Sequence, residues 1–105
     1  MKRQRDKAHL AAVASCPCVI CGNPFVQVAH IRYSVPGRPN PGVGRKPDDR
    51  YTIPLCEPHH REQHSRGERL WWESKGIDPL AVADKLYEAS GDLEKMEKII
   101  KDVRK

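Results

Sequence analysis

Large hydrophobic side chains are scarce in this 105-residue chain, which has a single Phe, 6% aromatic residues and 38% hydrophobic residues in all. No apolar run approaches the roughly 18 to 20 residues that a bilayer span needs. The opening stretch MKRQRDKAHLAAVASC has too weak an apolar centre to act as a secretory signal. Repeats and low-complexity tracts are also missing, so solenoids and tail-like segments are not expected. A cytoplasmic protein without a membrane partner is the expectation.

A chain this short forms one domain, residues 1–105, and buries only a modest share of its surface. Nine Pro and seven Gly imply long irregular connections that add little core. A metal or disulfide staple is physically motivated under these conditions. In a reducing compartment four Cys are expected to be ligands and not disulfides.

Positive charge and histidine are present in excess. The formal charge of +5 and the isoelectric point near 9.2 favour a polyanionic partner, with nucleic acid the leading candidate. Three of the five His and one of the four Cys fall within PLCEPHHREQH, Pro54 to His64.

The segment around these residues reads as α+β. Residues 2–14 carry charges followed by AHLAAVA, consistent with a short N-terminal helix. CPCVICGNPF is a tight knuckle, and VQVAHIRY alternates like a strand with Val26, Val28 and His30 on one face. Residues 35–50, VPGRPNPGVGRKPDDR, form a basic loop, and YTIPLC reads as a second strand. A helix is expected from about His59, interrupted near Gly67. Asp78 caps a further helix with Pro79 in its first turn and Leu80, Ala83, Leu86 and Tyr87 on one face. The last helix stripes Leu93, Met96, Ile99, Ile100 and Val103.

Cys18 and Cys21 make a CxxC, and Cys56 with His59 makes a CxxH, with 34 residues between the half-sites. Two such pairs suit a tetrahedral zinc with bonds of about 2.0 to 2.3 Å. Cys16 offers alternative pairings with Cys18 or Cys21, and His60 offers a CxxxH alternative that frees His59. His59 and His60 point about 100° apart on a helix, so one ion takes only one of them. His60 and His64 stack one turn apart and present two imidazoles to a second position. A cross-link of the early thiols to the helix would bring His30 toward them. Trp71 and Trp72 are adjacent and face different ways, so one is expected to pack while the other is partly exposed; base stacking is the lesser reading.

CVIC, AHI and IPLCEPHHREQH together resemble the HNH endonucleases of the ββα-metal type. In particular they are similar to the small phage and prophage branch with the Ref (recombination enhancement function) nucleases, and the resemblance covers roughly residues 16–87. It implies a small zinc-stabilised ββα-metal core, about residues 16–66, with additional C-terminal helices over about 68–105. It further implies DNA hydrolysis in phage recombination, with His30 as general base and His60 and His64 holding a catalytic Mg²⁺ or Mn²⁺. Cys18, Cys21, Cys56 and His59 match the structural zinc knuckles.

Ala29 stands where the family often has Asp or His, and Tyr51 where it has its middle Asn. The base must then be oriented by a backbone carbonyl, Asp48, Asp49 or Thr52. Arg32, Arg38, Arg45, Lys46, Arg50, Arg61 and Arg66 are the candidate phosphate contacts. A recombination protein is a further expected partner, and the chain is expected to be a monomer or weak dimer. The competing readings are a zinc-stabilised nucleic-acid-binding module without chemistry and a protein-binding scaffold.

Overall fold

A computed structural model describes residues 6–32, 49–65 and 67–104. Most of the basic loop, with Arg38, Arg45 and Lys46, lies outside the described residues, as does Arg66. Helix α1, Lys7–Ala14, starts because the Asp6 carboxylate accepts the His9 N–H at 2.9 Å, and it buries His9, Ala12 and Val13. The knuckle follows. Gly22 takes φ of +79°, which lets its N–H reach the Cys18 carbonyl at 2.8 Å while the Cys18 N–H bonds the Asn23 carbonyl at 2.9 Å.

Strands β1, Gln27–His30, and β2, Thr52–Leu55, pair antiparallel, with His30 opposite Thr52 and Gln27 opposite Leu55. The Ile31 N–H donates to the Tyr51 carbonyl at 2.9 Å just beyond the ladder, and Val19 donates to Pro54 at 3.1 Å. With only one partner strand, Pro54 deprives the sheet of no needed donor. All four residues of β2 are buried, so both faces of that strand are covered. Ala29 enters the core, while Val26 and Val28 are partly buried against the same cluster.

Helix α2 runs Glu57–Ser65 and begins earlier than expected, because the Cys56 carbonyl accepts the His60 N–H at 2.8 Å. Pro58 fits inside the first turn, where its missing N–H is not needed. The expected interruption is a full break: α3, Glu68–Lys75, is a separate helix with Gly67 at its N-cap and Gly76 in the left-handed conformation at its end. Helices α4, Pro79–Glu88, and α5, Leu93–Val103, are capped by Asp78 and Asp92 through side-chain bonds of 3.2 Å each. The fold is α+β, with five helices and one two-stranded sheet among the described residues. No helix among them is long and apolar enough to cross a membrane.

The main core gathers Val13, Cys18, Ile53, Leu55, Trp72, Leu86, Met96 and Ile100, with a smaller cluster of Ile31, Tyr51, Leu80 and Ala83 beside it. Trp71 and Trp72 both belong to the main core at 2% and 0% exposure, which corrects the expectation that one of them faces solvent. Their indole N–H groups are matched by Glu62 and Glu68, each at 3.1 Å, so burial leaves no polar atom of either ring unsatisfied.

Candidate metal centre and active site

The knuckle before β1, the end of β2 and the start of α2 bring four donors together. The Sγ atoms of Cys18, Cys21 and Cys56 and a ring nitrogen of His59 all lie within 4.8 Å of one another. Cys21 and Cys56 Sγ are 3.7 Å apart, Cys18 Sγ is 3.7 Å from His59 Nδ1, and Cys56 Sγ is 3.1 Å from the same nitrogen. A tetrahedral ion with bonds of about 2.3 Å to sulfur and about 2.0 Å to nitrogen sets edges of about 3.8 and 3.5 Å. The donor set therefore fits a metal ion such as zinc.

Local electrostatics suits the same use. Burial pushes the Cys18 thiol up, but the N–H groups of Cys56, Cys21 and Ile20 and the His59 ring outweigh it and bring it down to about 7. Cys56 goes to about 11, through burial and then through the neighbouring Cys21 and Cys18 sulfurs, a repulsion that a cation between them relieves. Cys16 stands apart from this group. It is buried, bonds the Ala12 carbonyl at 3.5 Å, and is pushed up to about 11 by burial and by Glu97, so it packs as a small hydrophobe.

His59 sits with the sulfurs, and His60 turns the other way. The His60 Nδ1 is 2.7 Å from Gln27 Oε1; since a carboxamide oxygen only accepts, Nδ1 carries the proton and Nε2 keeps its lone pair. That Nε2 lies 3.0 Å from His64 Nε2, with ring centroids 4.8 Å apart. A separation of about 3 Å matches an N–H···N hydrogen bond and equally the edge between two neighbouring ligands, each about 2.1 Å from one ion. Burial, then the neighbouring His64, Arg32 and His30, push His60 below its ordinary value, which favours the neutral form that can ligate.

His30 ends β1 with Nε2 3.2 Å from Asp49 Oδ1, and its side chain is 22% exposed against 3% for Asp49. Of the orienting groups that the sequence left open, the structure joins Asp49 to the ring. Asp49 is itself held: Oδ2 accepts the Asp6 N–H at 2.8 Å, and its carbonyl accepts the Thr52 hydroxyl at 2.8 Å. The His30 carbonyl accepts from Gln63 Nε2 at 3.2 Å, and the same amide donates to Glu68 at 2.9 Å. Glu68 also takes the Arg32 N–H at 3.0 Å and thereby ties α3 to the end of β1.

Tyr51 is buried with Ile31, Leu80 and Ala83, and Ala29 is buried in the core. Arg32 is exposed and near enough to act on His60. Arg61 is exposed and pairs with Glu57 one turn back. Arg50, expected among the phosphate contacts, is committed elsewhere: it pairs with Asp84 at 3.2 Å and lies over the rings of Tyr51 and Tyr87 at 5.3 and 5.0 Å. Gln27 was not singled out by sequence reasoning, because nothing local marks a strand glutamine as the partner of a histidine 33 residues on.

Among known proteins, the chain is 36% identical over 66 residues to "Uncharacterized protein YdfU" of Escherichia coli (strain K12), a match that covers 61% of this chain and 18% of that protein. The chain thus spans less than a fifth of that relative's length. No solved structure matches. Residues 1–91 match the family described as "Protein of unknown function (DUF968)", and the chain belongs to that family.

Proposed function

We propose that the protein is a metal-dependent endonuclease that hydrolyses DNA phosphodiester bonds. The observation that carries this reading is the pairing of His30 with a buried Asp49 beside a second imidazole pair, His60 and His64. Asp49 takes the Nε2–H of His30, which leaves Nδ1 to accept a proton from water, and the carboxylate then stabilises the imidazolium. His60 and His64 would hold a divalent ion such as Mg²⁺ or Mn²⁺, which would supply charge neutralisation for the phosphate. Arg32 and Arg61 hold the backbone mainly through charge.

Cys18, Cys21, Cys56 and His59 would hold a structural zinc, tying the knuckle to α2 so that β1 and the helix stay in register. The resemblance of CVIC, AHI and IPLCEPHHREQH to the HNH nucleases supports this assignment of roles. One observation favours a second reading. Ala29, where the HNH family often has Asp or His, is buried in the core, so the second ion would draw on His60 and His64 without a ligand at that position, which suits a zinc-stabilised nucleic-acid-binding module without catalysis.

Plasmid nicking with added Mg²⁺ or Mn²⁺ separates them. The nuclease requires cleavage by the parent and its loss in His30→Ala with zinc content unchanged. Salt-sensitive DNA binding by both proteins and cleavage by neither selects the module.

A further inference from the structure

The two parts of the proposed site stand on different elements: His30 ends β1, while His60 and His64 are both carried by α2 and move with it. Near its start α2 is fastened by His59 among the sulfurs and by His60 Nδ1 on Gln27 Oε1 at 2.7 Å. Toward its far end it is tied to β1 by Gln63, a side chain of 1% exposure whose Nε2 donates to the His30 carbonyl at 3.2 Å and to Glu68 Oε2 at 2.9 Å. Both neighbours only accept, so the amide can face them solely with its NH₂. Its own oxygen is then buried with no hydrogen-bond partner among the described residues. An orphaned acceptor is a cost that Met of similar volume would not carry, so packing alone does not account for Gln63. Glu68 braces the amide from α3: Oε1 accepts the Arg32 N–H at 3.0 Å and Oε2 takes the Trp72 indole N–H at 3.1 Å. One carboxylate thus fixes the amide, the chain two residues past His30 and a core tryptophan.

We propose that Gln63 is a positioning residue for the reaction: it sets the distance between His30 and the His60–His64 pair, with Glu68 as its brace. His60 and His64 lie one turn apart on a single helix, so their mutual spacing survives a tilt of α2. The distance from that pair to His30 does not survive it, because it follows from where the far end of α2 lies on the end of β1. Loss of the amide frees that end while the sulfur group and Gln27 still hold the other. A misplacement of about 1 Å between reacting groups is enough to slow a step about 100-fold. The inference rests on the nuclease reading and deepens it, assigning a part in the reaction to a residue that need touch neither the ion nor the phosphate.

The test is plasmid nicking by the zinc-loaded full chain at saturating Mn²⁺, with Mn²⁺ affinity read separately by electron paramagnetic resonance. Gln63→Met is expected to lower kcat by about 10- to 100-fold while KM for the plasmid, zinc content and Mn²⁺ affinity stay at the parent values. Ile100→Val serves as the control for stability alone: it removes one methyl group from the main core on α5 and is expected to leave kcat unchanged at a temperature where every variant is folded. A kcat for Gln63→Met equal to that of Ile100→Val, or a loss explained by weaker Mn²⁺ binding, overturns the positioning role. Should Gln63→Met fail to fold, Glu68→Gln keeps every apolar contact and turns an acceptor of the Gln63 amide into a group that also donates. It is expected to give the same split with a smaller fall in kcat, and an unchanged kcat there overturns the role as well. A parent that nicks nothing overturns the nuclease reading and the role with it, whereas full activity in both parent and Gln63→Met overturns the role alone.

Discussion

Asp49 Oδ1 lies 3.2 Å from His30 Nε2 while its other oxygen accepts the Asp6 N–H at 2.8 Å, so one buried carboxylate joins the candidate base to the entry of α1. Asp49→Asn keeps the volume but offers an amide that no longer demands the Nε2–H tautomer. Nicking is expected to fall by about 100-fold or more. The remaining carboxamide oxygen can still accept the Asp6 N–H, so the cost in denaturant unfolding is expected to stay below about 1 kcal/mol. Undiminished nicking would remove Asp49 from the proposed mechanism.

Metal removal should act on the fold more than on the surface. The four ligands join the knuckle, the end of β2 and the start of α2. Treatment with a chelator, or Cys56→Ser, is expected to remove one equivalent of zinc and lower Tm by about 10 °C or more. Cys16→Ala should leave the zinc stoichiometry at the parent value, since its sulfur faces Ala12 and not the cluster. Because Cys18 titrates near 7, zinc affinity should weaken steeply as pH falls below that value.

The four metal ligands were legible because each half-site is local: two residues between partners fix their geometry whatever the rest of the chain does. The partners that hold His60 and His30 were not. His60 meets Gln27 across 33 residues, and His30 meets Asp49 across 19, so both contacts depend on how β1 and β2 pair and on how α2 lies against them. A pattern of residue types cannot supply that register when the intervening loop carries no periodicity. The tryptophans misled for a related reason. Helical geometry separates neighbours by about 100°, but a short helix wedged against other elements on two sides buries both, as α3 does with Trp71 and Trp72.

Burial of both rings removes them as stacking platforms. Addition of single-stranded DNA is expected to leave the tryptophan emission maximum unchanged, and Trp72→Ala is expected to cost about 3 to 5 kcal/mol of stability. A large quench on DNA binding, with stability unaffected by the substitution, would argue that a ring is outside the core.

Gln27 is expected to act only through His60. With the amide gone, nothing holds the proton on Nδ1, and Nε2 presents a lone pair to the ion for only part of the time. Gln27→Leu should weaken Mn²⁺ binding to the zinc-loaded protein by about 10- to 100-fold, as read by electron paramagnetic resonance, while His64→Ala should weaken it further. Zinc content should stay at the parent level in both, because His59 holds that site independently.

His9 contributes a pH-dependent part of stability. It is fully buried, its Nδ1 lies 2.8 Å from Ser90 Oγ, its ring meets Tyr87 edge-on at 5.0 Å, and its Nε2 has no hydrogen-bond partner among the described residues. A protonated ring would bury a second donor with nothing to receive it. Asp6 and Asp49 draw its pKa upward, but burial is the larger effect and lowers it below 6.5. The folded state therefore binds the proton less readily than the unfolded chain. Stability that is present above 6.5 drains away as pH falls from there through the depressed value in the fold. Thermal melts of the parent and of His9→Gln at a series of pH values between about 8 and 5 test this against the ordinary histidine value. The parent should lose more Tm on acidification than the variant. Loss of metal at low pH lowers both curves alike, so the difference between them isolates His9; parallel curves would show that its protonation is not coupled to folding.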